Sequence, residues 1–293
     1  MNQESGLGVE YLKEENPERL FALPYDTIRK GLKLVMEQTM RLRITGQENI
    51  PETGGAIIVC NHTDYLDVPI QAVSSPRKLH FLGKAELFEP EKELKELLDS
   101  LPFAEGPLSA IFRPLIEGIA SLYGIVHREA LKQLGGIPVD RDHRGPTARE
   151  TLKYFQELEE FLIGLLKQGE VLSIFPEGTR SRTGVMGPFK PMTAGLAFKA
   201  GVPIIPCGIN GAFRLSTPGA LLSGELFRRE IFFNVGSAIH PEQYPQEDPK
   251  RAARMITEDL ETQVVARSQH AERRKEGRLK TEPSRRRGAP AFL

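Results

Sequence analysis

Seven short runs of mostly apolar residues recur along the chain, separated by longer polar or mixed stretches. The runs are 41–45 (RLRIT), 56–60 (AIIVC), 78–82 (KLHFL), 137–139 (IPV), 171–175 (VLSIF), 203–209 (PIIPCGI) and 230–236 (EIFFNVG). Their nearly continuous apolarity favours strands that are buried on both faces. The pattern therefore predicts an α/β fold, with a mostly parallel or mixed sheet of about seven strands flanked by helices.

Three segments, 25–40, 148–168 and 249–266, repeat apolar residues at helical spacing instead. Their apolar faces consist of Ile28, Leu32, Val35 and Met36 in the first, Leu152, Phe155, Leu158, Leu162, Leu165 and Leu166 in the second, and Ile256, Leu260 and Val264 in the third. Thr147 and Glu150 have the spacing of a capping box at the start of the second helix. The first segment predicts an N-terminal amphipathic helix, and the second a helix that packs on the sheet.

These predicted strands and helices indicate one α/β domain at 25–268, with a helical insertion at 89–134. Residues 1–24 are polar and predicted to be poorly structured, and residues 269–293 form a basic tail that is predicted to be disordered. The N-terminal residues lack the apolar core of a secretory signal. No uninterrupted apolar stretch approaches the ~20 residues of a membrane-spanning helix.

Within the insertion, residues 101–126 are apolar with sparse charges. This segment is either a helical hairpin that packs on the domain or an interfacial segment that contacts lipid. The basic residues of the helix at 25–40 and of the tail would add attraction to an anionic membrane surface. We therefore expect a peripheral protein on the cytoplasmic face of the cell membrane.

Composition narrows the class of protein further. The chain has 293 residues, of which 40% are hydrophobic and 27% charged, and its formal net charge is 0, so nothing global favours nucleic acid as a partner. Cys60 and Cys207 each lie in an apolar run and are expected to be reduced core residues. The sequence has no zinc-ligand spacing, P-loop or G-x-S-x-G motif, so we expect no metal site and disfavour an NTPase or a serine hydrolase.

Two motifs carry the candidate chemistry, NHTDYLD at 61–67 and FPEGTRSRTG at 175–184. In the first, a histidine oriented by a carboxylate (His62 and Asp67) would form a general-base pair that can deprotonate a hydroxyl. Five positions of a continuous helix rotate by about 140°, so the two side chains meet only if a turn lies between them. In the second, glycine and arginine after a strand suit a phosphate group. Together they suggest an enzyme that acts on the hydroxyl of a phosphorylated alcohol.

These motifs resemble those of the glycerolipid acyltransferases related to bacterial 1-acylglycerol-3-phosphate acyltransferase, whose first block is N-H-x4-D. The segments GGIPVDRD (135–142), FPEGTRS (175–181) and VPIIPCGI (202–209) are similar to the second, third and fourth blocks. The four blocks lie in the family's order and cover roughly residues 46–209. The resemblance implies a glycerolipid-acyltransferase-like fold.

The resemblance also implies roles for individual residues. His62 would be the general base and Asp67 would fix its tautomer, without an acyl-enzyme. The substrate phosphate would be bound by Lys84, Arg141, Glu177, Gly178, Thr179 and Arg180, with Glu177 holding an arginine or a substrate hydroxyl. Position 64 departs from the family, because it is aspartate where the family more often has serine. Asp64 either caps the following helix or acts on His62 as a second carboxylate.

The implied reaction is acyl transfer from acyl-CoA or acyl carrier protein to the hydroxyl of 1-acyl-glycerol-3-phosphate (lysophosphatidic acid) in phospholipid biosynthesis. The donor is a co-substrate, so no cofactor is expected. Three alternatives remain open at this point. The acceptor could be glycerol 3-phosphate, another lysophospholipid or a lipid amide; the same base could activate water, giving a thioesterase; or the protein could bind lipid without catalysis.

Overall fold

The computed structural model describes residues 25–89, 118, 121, 124, 127, 128 and 130–268. The predicted termini at 1–24 and 269–293 lie outside these residues, and of the apolar segment at 101–126 only Gly118, Ser121 and Gly124 are described. The described residues among 118–133 are helical. No helix within the described ranges has the length and apolarity needed to cross a bilayer.

All seven predicted strands are present. They are β1 (Leu42–Thr45), β2 (Ala56–Val59), β3 (Leu79–Lys84), β4 (Gly136–Val139), β5 (Val171–Ile174), β6 (Ile204–Asn210) and β7 (Ile231–Val235). β2 and β5 are buried along their whole length, as their continuous apolarity predicts.

The helices lie between and around these strands. They are α1 (Tyr25–Thr39), α2 (Asp67–Ser74), α3 (Ala148–Lys167), α4 (Met192–Ala200), α5 (Pro218–Leu222) and α6 (Pro249–Ser268). The predictions of α1, α3 and α6 are confirmed, and α2 begins after a turn as the histidine–aspartate spacing requires. The sequence analysis predicts neither α4 nor α5.

The capping box at the start of α3 is confirmed. The Thr147 amide donates to Glu150 Oε2 at 3.2 Å, and the Glu150 amide donates to Thr147 Oγ1 at 3.2 Å. The predicted apolar face is largely buried, through Phe155, Leu158, Leu162 and Leu166. Leu152 is the exception, since it is exposed near the N-terminal end of the helix.

The chain divides into two compact units. Among the described residues, the smaller unit contains residue 25 and those from 82 to 154, and the larger contains 26–81 and 155–268. The domain boundaries given by the sequence, with one domain at 25–268, remain a prediction.

The strands form a mixed sheet. In the larger unit their order is β1-β7-β6-β2-β5-β3, and residues 82–84 of β3 belong to the smaller unit, where β4 is the neighbouring strand. The β1–β7, β2–β5, β2–β6 and β3–β5 pairs are parallel, whereas β6 and β7 are antiparallel. The predicted fold class, a mixed sheet of about seven strands flanked by helices, is confirmed.

The register of β2 and β5 decides where the two motifs lie. The strands are parallel neighbours, and their last residues, Val59 and Ile174, are paired. The segment that contains His62 therefore leaves the sheet beside the segment that begins at Phe175. Both motifs lie at the carboxyl edge of the sheet, where α/β proteins bind ligands.

Candidate active site

Asn61 anchors the start of the first motif to the sheet. Its side chain is fully buried, with Nδ2 donating to the Ile209 carbonyl at 3.0 Å and Oδ1 accepting from the Ile209 amide at 2.8 Å. These two bonds attach the residue before His62 to β6. The sequence analysis did not single out Asn61, although its place after a strand and next to the base was a usable signal.

His62 and Asp67 form the predicted pair. His62 Nδ1 lies 2.9 Å from Asp67 Oδ2, and Asp67 is fully buried at the first residue of α2. The same oxygen accepts the amides of Thr63 at 2.5 Å and Asp64 at 2.8 Å. A carboxylate can only accept, so Nδ1 carries a proton and Nε2 keeps its lone pair. No described residue is hydrogen-bonded to Nε2, which is the nitrogen able to act as a base.

The ring and the main chain of His62 are both fixed. The imidazole stacks on the Phe175 ring, with a centroid separation of 4.0 Å and an interplanar angle of 17°. The His62 amide donates to Glu177 Oε1 at 2.8 Å, and its carbonyl accepts from the Ser181 amide at 2.8 Å. The side chain is still 19% exposed. The imidazole is therefore held in place on one side and accessible on another, an arrangement that would suit proton abstraction.

Glu177 has a structural role that the sequence analysis does not predict. It is buried, and each of its oxygens accepts a backbone amide, Oε1 from His62 and Oε2 from Gly187 at 2.7 Å. The predicted contact of Glu177 with an arginine or a substrate hydroxyl remains a prediction. Burial raises the pKa of Glu177 to about 7; the charge of Asp67 adds to this, while the two amide bonds oppose it. Glu177 connects the His62 turn to the loop after β5.

Two features favour glycine at position 178: its backbone conformation and the closeness of a neighbouring side chain. Its φ is +71°, a conformation that favours glycine, and a Cβ added there would lie 2.8 Å from Lys190 Nζ. The missing side chain leaves room for the Lys190 side chain, and the implied contact of Gly178 with a phosphate remains a prediction. The next residue, Thr179, is exposed. Lys190, which the sequence analysis left outside the predicted site, therefore belongs to this region.

Arg180 lies over an aromatic ring from the first motif. Its guanidinium carbon is 3.7 Å from the ring centroid of Tyr65. Ser181, the next residue, is bonded to the His62 carbonyl, so the arginine lies in a segment attached to the base. The prediction that Arg180 binds a phosphate remains a prediction.

The other two predicted cations, Lys84 and Arg141, belong to the smaller unit. Both are exposed, and Lys84 Nζ lies 2.6 Å from Glu86 Oε1. The hydrogen bond that Lys84 donates to Glu86 raises the pKa of Lys84, and the charge of Asp142 adds to this effect. These two cations therefore share their surroundings with two carboxylates, which a phosphate would have to compete with. Their binding role also remains a prediction.

Asp64 does not cap α2 in the predicted way. The residue before the helix is Leu66, which makes no side-chain capping bond. The Asp64 carboxylate is buried and accepts the Leu66 amide at 3.1 Å on Oδ1 and the Ser216 amide at 3.2 Å on Oδ2. It therefore links the turn between His62 and Asp67 to the loop after β6.

A metal ion is bound by several side chains that lie close together. Within the described part of the chain, no cluster of three or more histidine, cysteine, aspartate or glutamate side chains has the arrangement of a metal site. The two cysteines are free and buried, Cys60 directly after β2 and Cys207 within the neighbouring β6.

Comparison with known proteins places these residues in a wider context. The sequence model described as Acyltransferase matches residues 41–103 and 115–210, together more than half of the chain. A protein named 1-acyl-sn-glycerol-3-phosphate acyltransferase from Bacillus subtilis (strain 168) is 24% identical over 242 residues, which are 82% of this chain and 94% of that protein. Every predicted site residue lies within the matched ranges.

Two more comparisons gave similar proteins. A second protein of that name, from Borreliella burgdorferi, is 22% identical over 221 residues, which are 75% of this chain and 67% of its own length. The crystal structure of the 1-acyl-sn-glycerophosphate (LPA) acyltransferase from Thermotoga maritima is similar with a TM-score of 0.46 and 21% identity, over 83% of each chain.

Proposed function

The chain belongs to the Acyltransferase family, and from that premise we propose that it transfers an acyl group to the free hydroxyl of 1-acyl-glycerol-3-phosphate. Membership confirms the predicted class of enzyme, an O-acyltransferase. The acceptor is inferred from the names of the relatives from Bacillus subtilis and Borreliella burgdorferi. The observation that carries the proposal is the His62–Asp67 pair, attached through Ser181 to the segment that bears Arg180.

Proton transfer through His62 accounts for the chemistry. Nε2 takes the proton of the acceptor hydroxyl as that oxygen attacks the thioester carbonyl, and the imidazolium is stabilised by Asp67. The tetrahedral intermediate then expels the thiolate, and the proton on Nε2 passes to the sulfur. One ester bond forms, one thioester bond breaks and the histidine is regenerated, so no acyl-enzyme is needed.

The acceptor's phosphate is the group that Arg180 would bind. A guanidinium offers paired N–H donors that match two phosphate oxygens. Gly178, Thr179 and the neighbouring Lys190 complete the segment beside it, and Lys84 and Arg141 remain further candidates for the phosphate. The donor would be acyl-CoA or acyl carrier protein, used as a co-substrate, and the mechanism calls for no cofactor.

The location of the protein is a further part of this proposal. A lipid acceptor favours a peripheral position on the cytoplasmic face of the cell membrane, with an anionic membrane surface as partner. One observation supports it: α1 exposes Leu32, Leu34 and Val35 beside the exposed Lys30. Apolar and basic side chains on one helix suit a lipid–water boundary. Replacing Leu34 and Val35 with serine should reduce binding to anionic vesicles, and unchanged binding would remove α1 from the proposal.

A panel of acceptors tests the proposed reaction. Purified protein is given acyl-CoA or acyl carrier protein together with lysophosphatidic acid, glycerol 3-phosphate, lysophosphatidylcholine or monoacylglycerol, and products are identified by mass spectrometry. The proposal predicts phosphatidic acid as the main product, with much slower acylation of monoacylglycerol, which lacks the phosphate. Equal rates on monoacylglycerol and lysophosphatidic acid would contradict a phosphate-dependent site, and preferred acylation of glycerol 3-phosphate would replace the proposed acceptor.

A further inference from the structure

Tyr65 lies in the middle of the turn between the base and its aspartate, yet the pair does not use its side chain. The turn is closed by the backbone amides of Thr63 and Asp64, which donate to Asp67. The Tyr65 ring instead points outward and is 62% exposed. Its described contact is with Arg180, 3.7 Å above the ring centroid. An exposed aromatic residue with a cation on its face calls for an explanation other than packing.

The contact affects how freely the Arg180 side chain can move. The backbone around it is fixed, because Gly178 donates to the Phe175 carbonyl at 3.0 Å and Ser181 donates to His62. The arginine side chain beyond that backbone has several rotatable bonds, and ordering it for a ligand costs entropy. Contact with a ring face restricts the guanidinium before any ligand arrives, which lowers that cost.

The contact also leaves the guanidinium able to bind an anion. A ring face interacts with the cation through its π-electrons and occupies none of the N–H donors. In the described part of the chain, no carboxylate or carbonyl accepts a hydrogen bond from Arg180. Its charge and its donors are therefore available to an anionic group that enters beside His62.

We propose that Tyr65 is a positioning residue that holds the Arg180 guanidinium ready for the phosphate of the acceptor. This inference rests on the proposed function, since it takes the anionic group to be the acceptor's phosphate. Because Tyr65 lies between His62 and Asp67 in sequence, one turn positions both the base and the phosphate-binding arginine. The spacing between His62 and Arg180, set by this one turn, would then match the distance between the hydroxyl and the phosphate of the acceptor.

A double-mutant cycle tests this role. Tyr65→Leu removes the ring face, Tyr65→Phe keeps it, and each is made with and without Arg180→Ala. In the presence of Arg180, Tyr65→Leu should raise KM for lysophosphatidic acid by about two- to fivefold, the effect of an exposed cation–π contact, and change kcat less. Tyr65→Phe keeps the ring face, so its KM for lysophosphatidic acid should stay close to the wild-type value. In the Arg180→Ala background, Tyr65→Leu should have little further effect on KM.

Three results would overturn the inference: an equal effect of Tyr65→Leu with and without Arg180, an equal rise of KM in Tyr65→Phe, or a change confined to KM for the acyl donor. Phe227→Leu is the matched control, because Phe227 is another exposed aromatic residue of the larger unit. It should leave KM for the acceptor near the wild-type value.

The same cycle, measured as binding of glycerol 3-phosphate by calorimetry, separates this inference from the proposed function. Binding that depends on Arg180 and is weakened by Tyr65→Leu supports the inference even if the wild-type protein fails to acylate lysophosphatidic acid. If the wild-type protein acylates lysophosphatidic acid but the Tyr65 and Arg180 substitutions weaken binding additively, Tyr65 has no positioning role. The proposed function is then unaffected. Absence of both binding and acylation contradicts both.

Discussion

Among the described histidines, two have an aspartate on Nδ1 and an aromatic ring against their face. His62 lies 2.9 Å from Asp67 and stacks on Phe175, while His143 lies 3.2 Å from Asp140 and stacks on Tyr154 at 4.2 Å. The larger unit contains the first pair and the smaller unit the second. A histidine–aspartate contact alone therefore does not identify a catalytic base.

The carboxylates of the two pairs differ most. Asp67 is fully buried and its Oδ2 accepts three donors, whereas the Asp140 side chain is 48% exposed. A buried carboxylate with its donors fixed holds the imidazole in one tautomer, and an exposed one is screened by water. His143 is also the less accessible ring. We therefore propose His62 as the base from the surroundings of its pair, and not from the histidine–aspartate contact alone.

Replacing each histidine should give the largest difference between the pairs. His62→Ala should lower kcat by about 10²–10⁴-fold, the contribution of a general base, with the fold intact. His143→Ala should lower thermal stability, because it removes a buried ring from Tyr154, and should leave kcat near the wild-type value. Steady-state kinetics and thermal unfolding measure both. Near-wild-type turnover by His62→Ala would end its assignment as the base.

Replacing the aspartates should give a smaller effect with the same asymmetry. Asp67→Asn releases the tautomer of His62 and should lower kcat by roughly 10²-fold, the lower end of what a general base contributes. Asp140→Asn, at an exposed carboxylate, should change kcat much less. The measurement is kcat at saturating acceptor for both variants. Equal losses would mean that carboxylate burial is not what separates the pairs.

Arg180, in the segment attached to His62, is the next residue whose replacement tests the site. Arg180→Ala should raise KM for lysophosphatidic acid by about ten- to a hundred-and-fifty-fold, which is what a charge-assisted hydrogen bond of about 1.5–3 kcal/mol is worth. KM for monoacylglycerol should change less. Arg182→Ala, two residues along at an exposed position, is the control. A change confined to KM for the donor would assign Arg180 to the donor site instead.

The smallest expected effect concerns pH and stability, through Glu177 behind His62. Its pKa is raised from 4.5 to about 7 in the folded protein, so the folded state keeps a proton that the unfolded chain releases. Its contribution therefore makes the free energy of unfolding fall as pH rises from about 4.5 to about 7, by up to about 1.4 kcal/mol per pH unit. Glu177→Gln cannot titrate and should remove that slope. Urea unfolding of the wild-type protein and of Glu177→Gln at about pH 5 and pH 7 measures this pH dependence. The same pH dependence in both proteins would contradict a raised pKa at Glu177.

The strands were predictable because each is a short, mostly apolar run, and β2 and β5 are buried along their whole length. α4 was not, because MTAGLAFKA (192–200) is apolar and small on several faces and lacks a clear stripe; Thr193, Ala194, Leu196 and Ala197 are all buried. Elements without a periodic pattern are the ones that sequence reasoning misses.

The candidate site also contains contacts that the sequence predicts and contacts that it does not. The contact between His62 and Asp67 could be predicted from their spacing, since a short turn between them is a local constraint. The role of Glu177 could not, because its partner at position 62 is a backbone amide 115 residues away. Any residue except proline can donate a backbone amide, so such a contact leaves almost no trace in the sequence.

Release of free thiol from acyl-CoA, with and without lysophosphatidic acid, tests the central claim most directly. The account predicts release that requires the acceptor, matches phosphatidic acid formation one to one, and is lost in His62→Ala. Release at the same rate without any acceptor would show that the base activates water, and the protein would then be a thioesterase and not an acyltransferase.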